Sequence, residues 1–277
     1  MIAIKCILFF LINISILLAN SISELSDYSK VCREAAESDE IFKQFKQHPE
    51  YREILEHVTY EQGSEYLKII EQAYPFIMAH FEKCRENDLL GSPTTFCYGE
   101  YGNISPTTLR YMKVSGDLLK YFGDLDFKTI VEIGGGYGGQ CKILNELTNF
   151  KEYIIVDLLE ATLLQKRYLN RLNVKNVEYL SNKNFSLGND LFCDLLISNY
   201  AFSEISRDEQ FIYIRKLINN SRRGYMTCNF ISGVFGIKSL NLNELVQLIK
   251  IPGRKIEVIP EVPCTYSGNV ILIWREE

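Results

Sequence analysis

The chain has 277 residues, is 47% apolar and 23% charged, and carries a formal net charge of −5. That is an ordinary globular composition, long enough for one large domain or one domain with an appendage, and it excludes a disordered or fibrous chain. No stretch is a cationic block, so nucleic acid is not expected as a main partner.

Residues 1–23 contain a single charge, Lys5, and residues 6–19 are almost wholly apolar, broken by Asn13 and Ser15. Ala19-Asn20-Ser21 resembles a small-residue cleavage site. A basic start, an apolar core and a small-residue exit predict a signal peptide or, without cleavage, a membrane anchor. Residues 24–125 read as a helical cap. Apolar residues recur at helical spacing in Ile41, Phe42 and Phe45, and again in Ile54, Leu55 and Val58. His48-Pro49 interrupts the pattern, because the residue before proline avoids the helical region. Leu67, Ile70, Ala73, Ile77 and Phe81 then form one stripe, which predicts a single long helix over residues 66–84. Residues 86–105 read as a loop punctuated by Gly91, Pro93, Gly99 and Gly102. The loop's Tyr98, Glu100 and Tyr101 suit either a site wall or a plain linker. Ser105-Pro106 predicts a helix start, with serine as cap and proline in the first position. That helix carries Arg110 and ends at Gly123.

Residues 126–277 alternate between strand and helix patterns. Strands are expected at 129–133, 152–156, 176–180, 193–197, 224–230, 255–259 and 269–274, and helices at 161–172, 207–218 and 241–249. No helix separates the last two strands, so they must pair antiparallel or lie apart.

The first of these strands runs into Val131-Glu132-Ile133-Gly134-Gly135-Gly136-Tyr137-Gly138-Gly139. Five glycines in the six residues 134–139 remove Cβ atoms where the backbone must turn sharply and lie close to a ligand. The following helix offers free N–H groups at its positive end. Such a turn suits a nucleotide-like ligand. Two spacings coexist. Gly134-x-Gly136-x-x-Gly139 fits a dinucleotide loop, whereas Glu132-x-Gly134-x-Gly136-x-Gly138 fits the loop that holds S-adenosylmethionine in class I methyltransferases. Glu132 and the mid-chain position behind a helical segment favour the second. The expected fold is therefore α/β: a Rossmann-like class I methyltransferase sheet, mostly parallel with an antiparallel last strand, behind a helical cap.

Other residues follow from that frame. Asp157 ends the second strand, 18 residues past Gly139, where a carboxylate can accept both ribose hydroxyls of an adenosine. Ser181 and Asn182 follow the third strand, where an adenine edge would lie. Asn199, Tyr200, Ser203 and Glu204 follow the fourth strand, outside the carboxyl ends of the sheet. Glu204 is the carboxylate there, a candidate general base toward a hydroxyl or else a cap for the next helix. The histidines, His48, His57 and His80, all precede the glycine turn, so the sheet region has no histidine base. The eight cysteines form no CxxC pair and fit buried thiols better than a metal site; Cys84 and Cys97 could pair only in an oxidising compartment. No metal is expected.

Several stretches resemble the sugar O-methyltransferase family of bacterial surface-polysaccharide clusters. Residues 45–67, with His48-Pro49-Glu50-Tyr51 and Gly63-Ser64-Glu65-Tyr66, look like its amino-terminal signature. Ser105-Pro106-Thr107-Thr108-Leu109-Arg110-Tyr111 looks like its middle signature. The turn at 131–139, the segment around Asp157 with Leu164-Gln165, and Ser198-Asn199-Tyr200-Ala201-Phe202-Ser203-Glu204 resemble the rest of its site. The resemblance implies S-adenosylmethionine as cofactor and a sugar or surface-glycan hydroxyl as acceptor. The cofactor would be held by Glu132, Gly134, Gly136, Gly138, Asp157, Asn182 and Asn199, with Arg110 close to it and Glu204 as the catalytic candidate. An apolar leader is not part of that family's pattern. S-adenosylmethionine is cytosolic, so leader and glycine turn point to different compartments. Two other readings share the turn: a nicotinamide-dependent oxidoreductase, and a non-catalytic, membrane-tethered module.

Overall fold

The computed structural model describes residues 21–275. Most of the expected leader therefore lies outside the described residues, and among those described no helix is long and apolar enough to cross a membrane.

The cap opens with a short helix, α1 (Ile22–Leu25), capped by the Ser21 hydroxyl, and continues into α2 (Tyr28–Glu37). Three short helical pieces lead to α3 (Tyr60–Ala73), which starts on a capping box in which Thr59 and Gln62 satisfy each other's backbone N–H groups. The long helix expected over 66–84 is broken. Pro75 has no N–H and pushes Tyr74 out of the helical region, to φ −134° and ψ 52°, so two short helices, Pro75–Met78 and Phe81–Arg85, replace its second half. The expected loop at 86–105 contains a two-stranded hairpin, β1 (Phe96–Cys97) and β2 (Asn103–Ile104). Helix α4 (Pro106–Phe122) starts on the Ser105 cap and stops at Gly123 with φ +70°, as its sequence predicts.

The sheet region alternates as expected: β3 (Thr129–Ile133), α5 (Gly139–Leu147), β4 (Glu152–Asp157), α6 (Leu159–Arg171), β5 (Val177–Ser181), α7 (Asn182–Leu187), β6 (Cys193–Asn199), α8 (Arg207–Lys216), β7 (Ser221–Cys228), α9 (Leu242–Leu248), β8 (Glu257–Pro260) and β9 (Val270–Trp274). Helix α7 is an addition, started by the Ser181 hydroxyl. The strands lie in the order β5-β4-β3-β6-β7-β9-β8. The pairs from β5 through β7 are parallel, and β9 runs antiparallel to both β7 and β8.

Successive strand residues point to opposite faces, and both faces are covered. Ile130, Tyr153, Ile155, Leu195, Ile197 and Tyr225 pack under the cap together with Tyr51, Ile70 and Leu109. Val131, Ile133, Ile154, Leu196, Met226 and Trp274 pack on the other face with Tyr213 and Leu245. One buried cluster thus runs from the cap into the sheet without a break. Trp274 lies flat over Gly224 on the neighbouring strand, where a Cβ would stand 2.0 Å from the indole. Gly224→Ala must displace that ring and is expected to cost about 2 kcal/mol in chemical unfolding; an unchanged midpoint would refute this packing.

Candidate functional site

Sheet order fixes where a ligand can lie. Strand β3 pairs with β4 on one side and β6 on the other, so chain connections leave in opposite directions at β3 and open a crevice beyond its carboxyl end. The glycine turn stands at that crevice. Gly134, Gly136 and Gly138 have φ of +73°, +58° and +96°, a region that side chains with a Cβ rarely enter. Space is as restrictive as backbone angle. A Cβ on Gly134 would stand 2.1 Å from that of Ala201 across the crevice, and one on Gly136 would come within 3.0 Å of the cap's Leu55.

The turn is fastened from three sides. The Gly134 amide donates to Val156 O at 2.9 Å. Gln165 on α6 donates from Nε2 to Gly136 O at 3.0 Å and to Asp157 Oδ2 at 2.7 Å, joining turn and acid. Behind the turn, Tyr137 is fully buried and its hydroxyl accepts from Asn87 at 3.0 Å. The ammonium of Lys46 sits 4.0 Å from the Tyr137 ring centroid and 4.9 Å from that of Tyr168, and donates to Asn87 O at 3.0 Å. Burial pulls the Lys46 pKa down to about 8. A lysine in a polar stretch carries no sequence signal of such burial.

Gly134, Asp157, Asn182 and Glu204 line one cleft of about 530 Å³, counting its open mouth. Ile133, Val156, Leu158, Ala201 and Tyr213 give it an apolar wall, and Ser21 and Glu24 of the cap's first turn reach its rim. Ser21 forms a backbone bridge with Ile205 there. The Asp157 carboxyl accepts the Leu158 amide at 2.8 Å, and burial raises its pKa to about 6 against the opposing pull of its hydrogen bonds. Asn182 lies at the start of α7, its Oδ1 accepting the Lys183 amide at 2.8 Å. Glu204 accepts the Asn229 side-chain amide at 2.5 Å, and burial raises its pKa. The cap of α8 is Ser206, so Glu204 is not consumed as a helix cap.

The remaining candidates stand elsewhere. Glu132 lies beneath the turn rather than in the cleft, 2% exposed, and accepts the Tyr153 hydroxyl at 2.9 Å. Burial raises its pKa to about 8. Arg110 and Asn199 line a separate cavity beyond the end of β6. Tyr98 of the expected loop packs on Tyr60 and against Gly63, away from the cleft. Cys84 and Cys97 are both free thiols. Among the described residues no group of three or more His, Cys, Asp or Glu side chains could hold a metal ion. Asn229 and Tyr213 were not foreseeable, since each reaches the site only through the sheet's strand order.

No protein-family model and no curated protein matches the chain. Solved structures resemble it at low identity. The mitomycin 7-O-methyltransferase aligns over 61% of this chain and 57% of its own, with 16% identity and a TM-score of 0.42, so the chain spans little more than half of that protein. A SAM-dependent methyltransferase from Aquifex aeolicus aligns over 57% and 87%, with 16% identity and a TM-score of 0.44. A Streptococcus mutans protein assigned as a methyltransferase, in complex with SAH, aligns over 61% and 98%, with 15% identity and a TM-score of 0.44. The strand order itself, a parallel sheet reversing at β3 with an antiparallel β9 set between β7 and the edge strand β8, is the Rossmann-like class I methyltransferase fold.

Proposed function

We propose that the chain is an S-adenosylmethionine-dependent O-methyltransferase. The observation that carries this is the shared cleft, in which Asp157 and the bare face of Gly134 wall one space at the switch point of the sheet. The residues fit the cofactor. The bare face of the glycine turn would let its backbone approach, the half-buried Asp157 carboxylate would accept ribose hydroxyls, and Asn182 would offer an amide to an adenine edge. When bound, the cofactor supplies an activated methyl group and its own leaving group. The protein's part is then to orient an acceptor hydroxyl in line and to remove its proton. We assign that proton to Glu204, which lines the same cleft and whose raised pKa makes it a stronger base than an exposed glutamate. The sugar or surface-glycan acceptor follows from the family resemblance of residues 45–67 and 105–111, as does the assignment of residues 24–125 as a cap over the catalytic region 126–277.

Calorimetric titration of the full chain with S-adenosylmethionine, S-adenosylhomocysteine and NAD in parallel tests the reading. Binding of the two sulfur nucleosides with none of NAD is expected; NAD binding alone would sink it. Glu204→Gln is expected to keep S-adenosylhomocysteine affinity within about threefold while slowing methylation of any acceptor at least about tenfold.

A further inference from the structure

Beyond the carboxyl end of β6 lies a second, narrow and partly open cavity, about 270 Å³ of non-atom space counting its mouth. Its walls come from three parts of the chain: Tyr66 on α3, Arg110 and Lys113 on α4, and Asn199, Tyr200 and Glu261 at the strand ends. Three of these residues each have a buried polar atom with no hydrogen-bond partner: Tyr66 Oη, Arg110 Nε and Asn199 Nδ2. Tyr66 is 2% exposed and Arg110 7%. A buried donor left unpaired costs about 1–3 kcal/mol, more when charged, and native structures seldom leave several together.

The acidic and ammonium groups on the cavity wall itself, Glu261 and Lys113, are already in use, while the buried Glu56 carboxyl near Arg110 keeps one unpartnered oxygen. Glu261 accepts Tyr200 Oη, the Thr265 amide at 3.0 Å and the Asn269 side chain at 2.8 Å. Lys113 is paired with Asp117 at 2.7 Å. Arg110 donates a long 3.5 Å bond to Leu55 O, interacts with the Tyr111 side chain and feels the Glu56 charge, but none of the ion pairs within 4 Å among the described residues includes it. Its guanidinium lies near the rings of Tyr111 and Tyr200, with centroid distances of 5.5 and 5.9 Å. Burial raises the Tyr66 pKa, so its hydroxyl keeps the proton it can donate. The cavity therefore presents a fixed positive charge and unused donors to whatever fills it, the chemistry that selects a carboxylate or phosphate. Its position adds a direction. Asn199 and Tyr200 wall this cavity, and the next residue, Ala201, walls the cleft. An anion held here would stand next to the cleft, across the chain segment Tyr200-Ala201.

We propose that this cavity is the acceptor subsite, and that Tyr66, Arg110 and Asn199 hold an anionic group, carboxylate or phosphate, on the molecule that is methylated. The inference rests on the methyltransferase reading and narrows its acceptor to an acidic or phosphorylated one. The same chemistry could be met by the amino-acid carboxylate of the cofactor itself, and the experiment separates the two sources.

The full chain, Arg110→Gln and Tyr66→Phe are titrated with S-adenosylhomocysteine and with 5′-methylthioadenosine, which lacks the amino-acid carboxylate. The protein saturated with S-adenosylhomocysteine is then titrated with glucuronate and with inorganic phosphate. The expected result is that the loaded wild type binds at least one anion. Arg110→Gln then loses at least about tenfold in that affinity, the loss of a charge-assisted bond, while S-adenosylhomocysteine affinity changes less than threefold. Tyr66→Phe removes only an unpartnered hydroxyl. It is expected to keep the thermal midpoint and still weaken the anion, which keeps the test decisive if Arg110→Gln folds poorly. Failure of the loaded wild type to bind either anion overturns the proposal. So does a tenfold loss of S-adenosylhomocysteine with unchanged methylthioadenosine, which would give the cavity to the cofactor's carboxylate. If S-adenosylhomocysteine does not bind the wild type at all, the methyltransferase reading fails first and visibly, and this inference falls with it.

Discussion

Replacing Asp157 by alanine is expected to weaken S-adenosylhomocysteine binding about 100-fold. Two ribose hydroxyls donating to a carboxylate contribute about 1.5–3 kcal/mol each, and about 1.4 kcal/mol is a tenfold change, so ~3 kcal/mol in total is a conservative figure. The same carboxyl accepts the Leu158 amide and the Gln165 side chain, which in turn holds Gly136 O. Alanine therefore loosens the glycine turn as well as removing the acceptor. Asp157→Asn separates the effects, since it keeps the shape and loses the charge. Proton linkage supplies a second readout. Burial raises the Asp157 pKa to about 6, and only the ionised form accepts both hydroxyls. Wild-type affinity should fall by up to about tenfold per pH unit below 6, and the asparagine variant should show no such slope. Calorimetry across pH 5–8 reads both, and undiminished affinity in Asp157→Ala would count decisively against the cofactor site.

The parts of this molecule that the sequence shows are those governed by local rules. Gly134, Gly136 and Gly138 stand out because positive φ and a crowded crevice both demand the loss of a Cβ. Strand β3 matches its expected bounds because a fully buried parallel strand is one unbroken apolar run between turn residues. Ser105-Pro106 and Gly123 frame α4 because caps are encoded in adjacent positions. The stripe over residues 66–84 misled because apolar spacing persisted across Tyr74-Pro75, where a missing N–H outweighs pattern. The rest of the site depends on tertiary arrangement. Tyr66 reads only as the first residue of the expected helix over 66–84, and it is the approach of α4 and the end of β6 that sets it in one cavity wall with Arg110 and Asn199. Lys46 reads as a solvated residue, yet it is 0% exposed among Tyr137, Tyr168 and Asn87 from elements up to 122 residues away in sequence.

Glu132 carries the second large effect, this time on stability. Its carboxyl is buried beneath the glycine turn with Tyr153 donating to one oxygen, and burial raises its pKa from 4.5 to about 8. The folded chain therefore holds this proton more tightly than the unfolded one. Stability from this group is complete below the unfolded pKa, falls as pH rises between the two values, and is lost by the time pH passes the folded value. At about 1.4 kcal/mol per pH unit, the loss reaches about 3 kcal/mol at pH 7 and about 5 kcal/mol above pH 8. Glu132→Gln keeps size and a partner for Tyr153 without a charge to desolvate. It is expected to match wild type near pH 4.5 and to exceed it by about 3 kcal/mol at pH 7 in chemical unfolding. The difference between the two proteins is the quantity to follow, since burial also raises the pKa values of Asp157, Glu56 and Glu204 in both. A pH-independent difference would mean that the carboxyl is solvated and the turn lies open. With the slope observed, cofactor affinity becomes informative. A stabilised Glu132→Gln that binds S-adenosylhomocysteine as wild type does would make the acid a support for the turn, held at a cost of stability. A stabilised variant that binds it weakly would show that the acid under Gly135 is felt by the ligand, and that the chain forgoes stability at this position for binding.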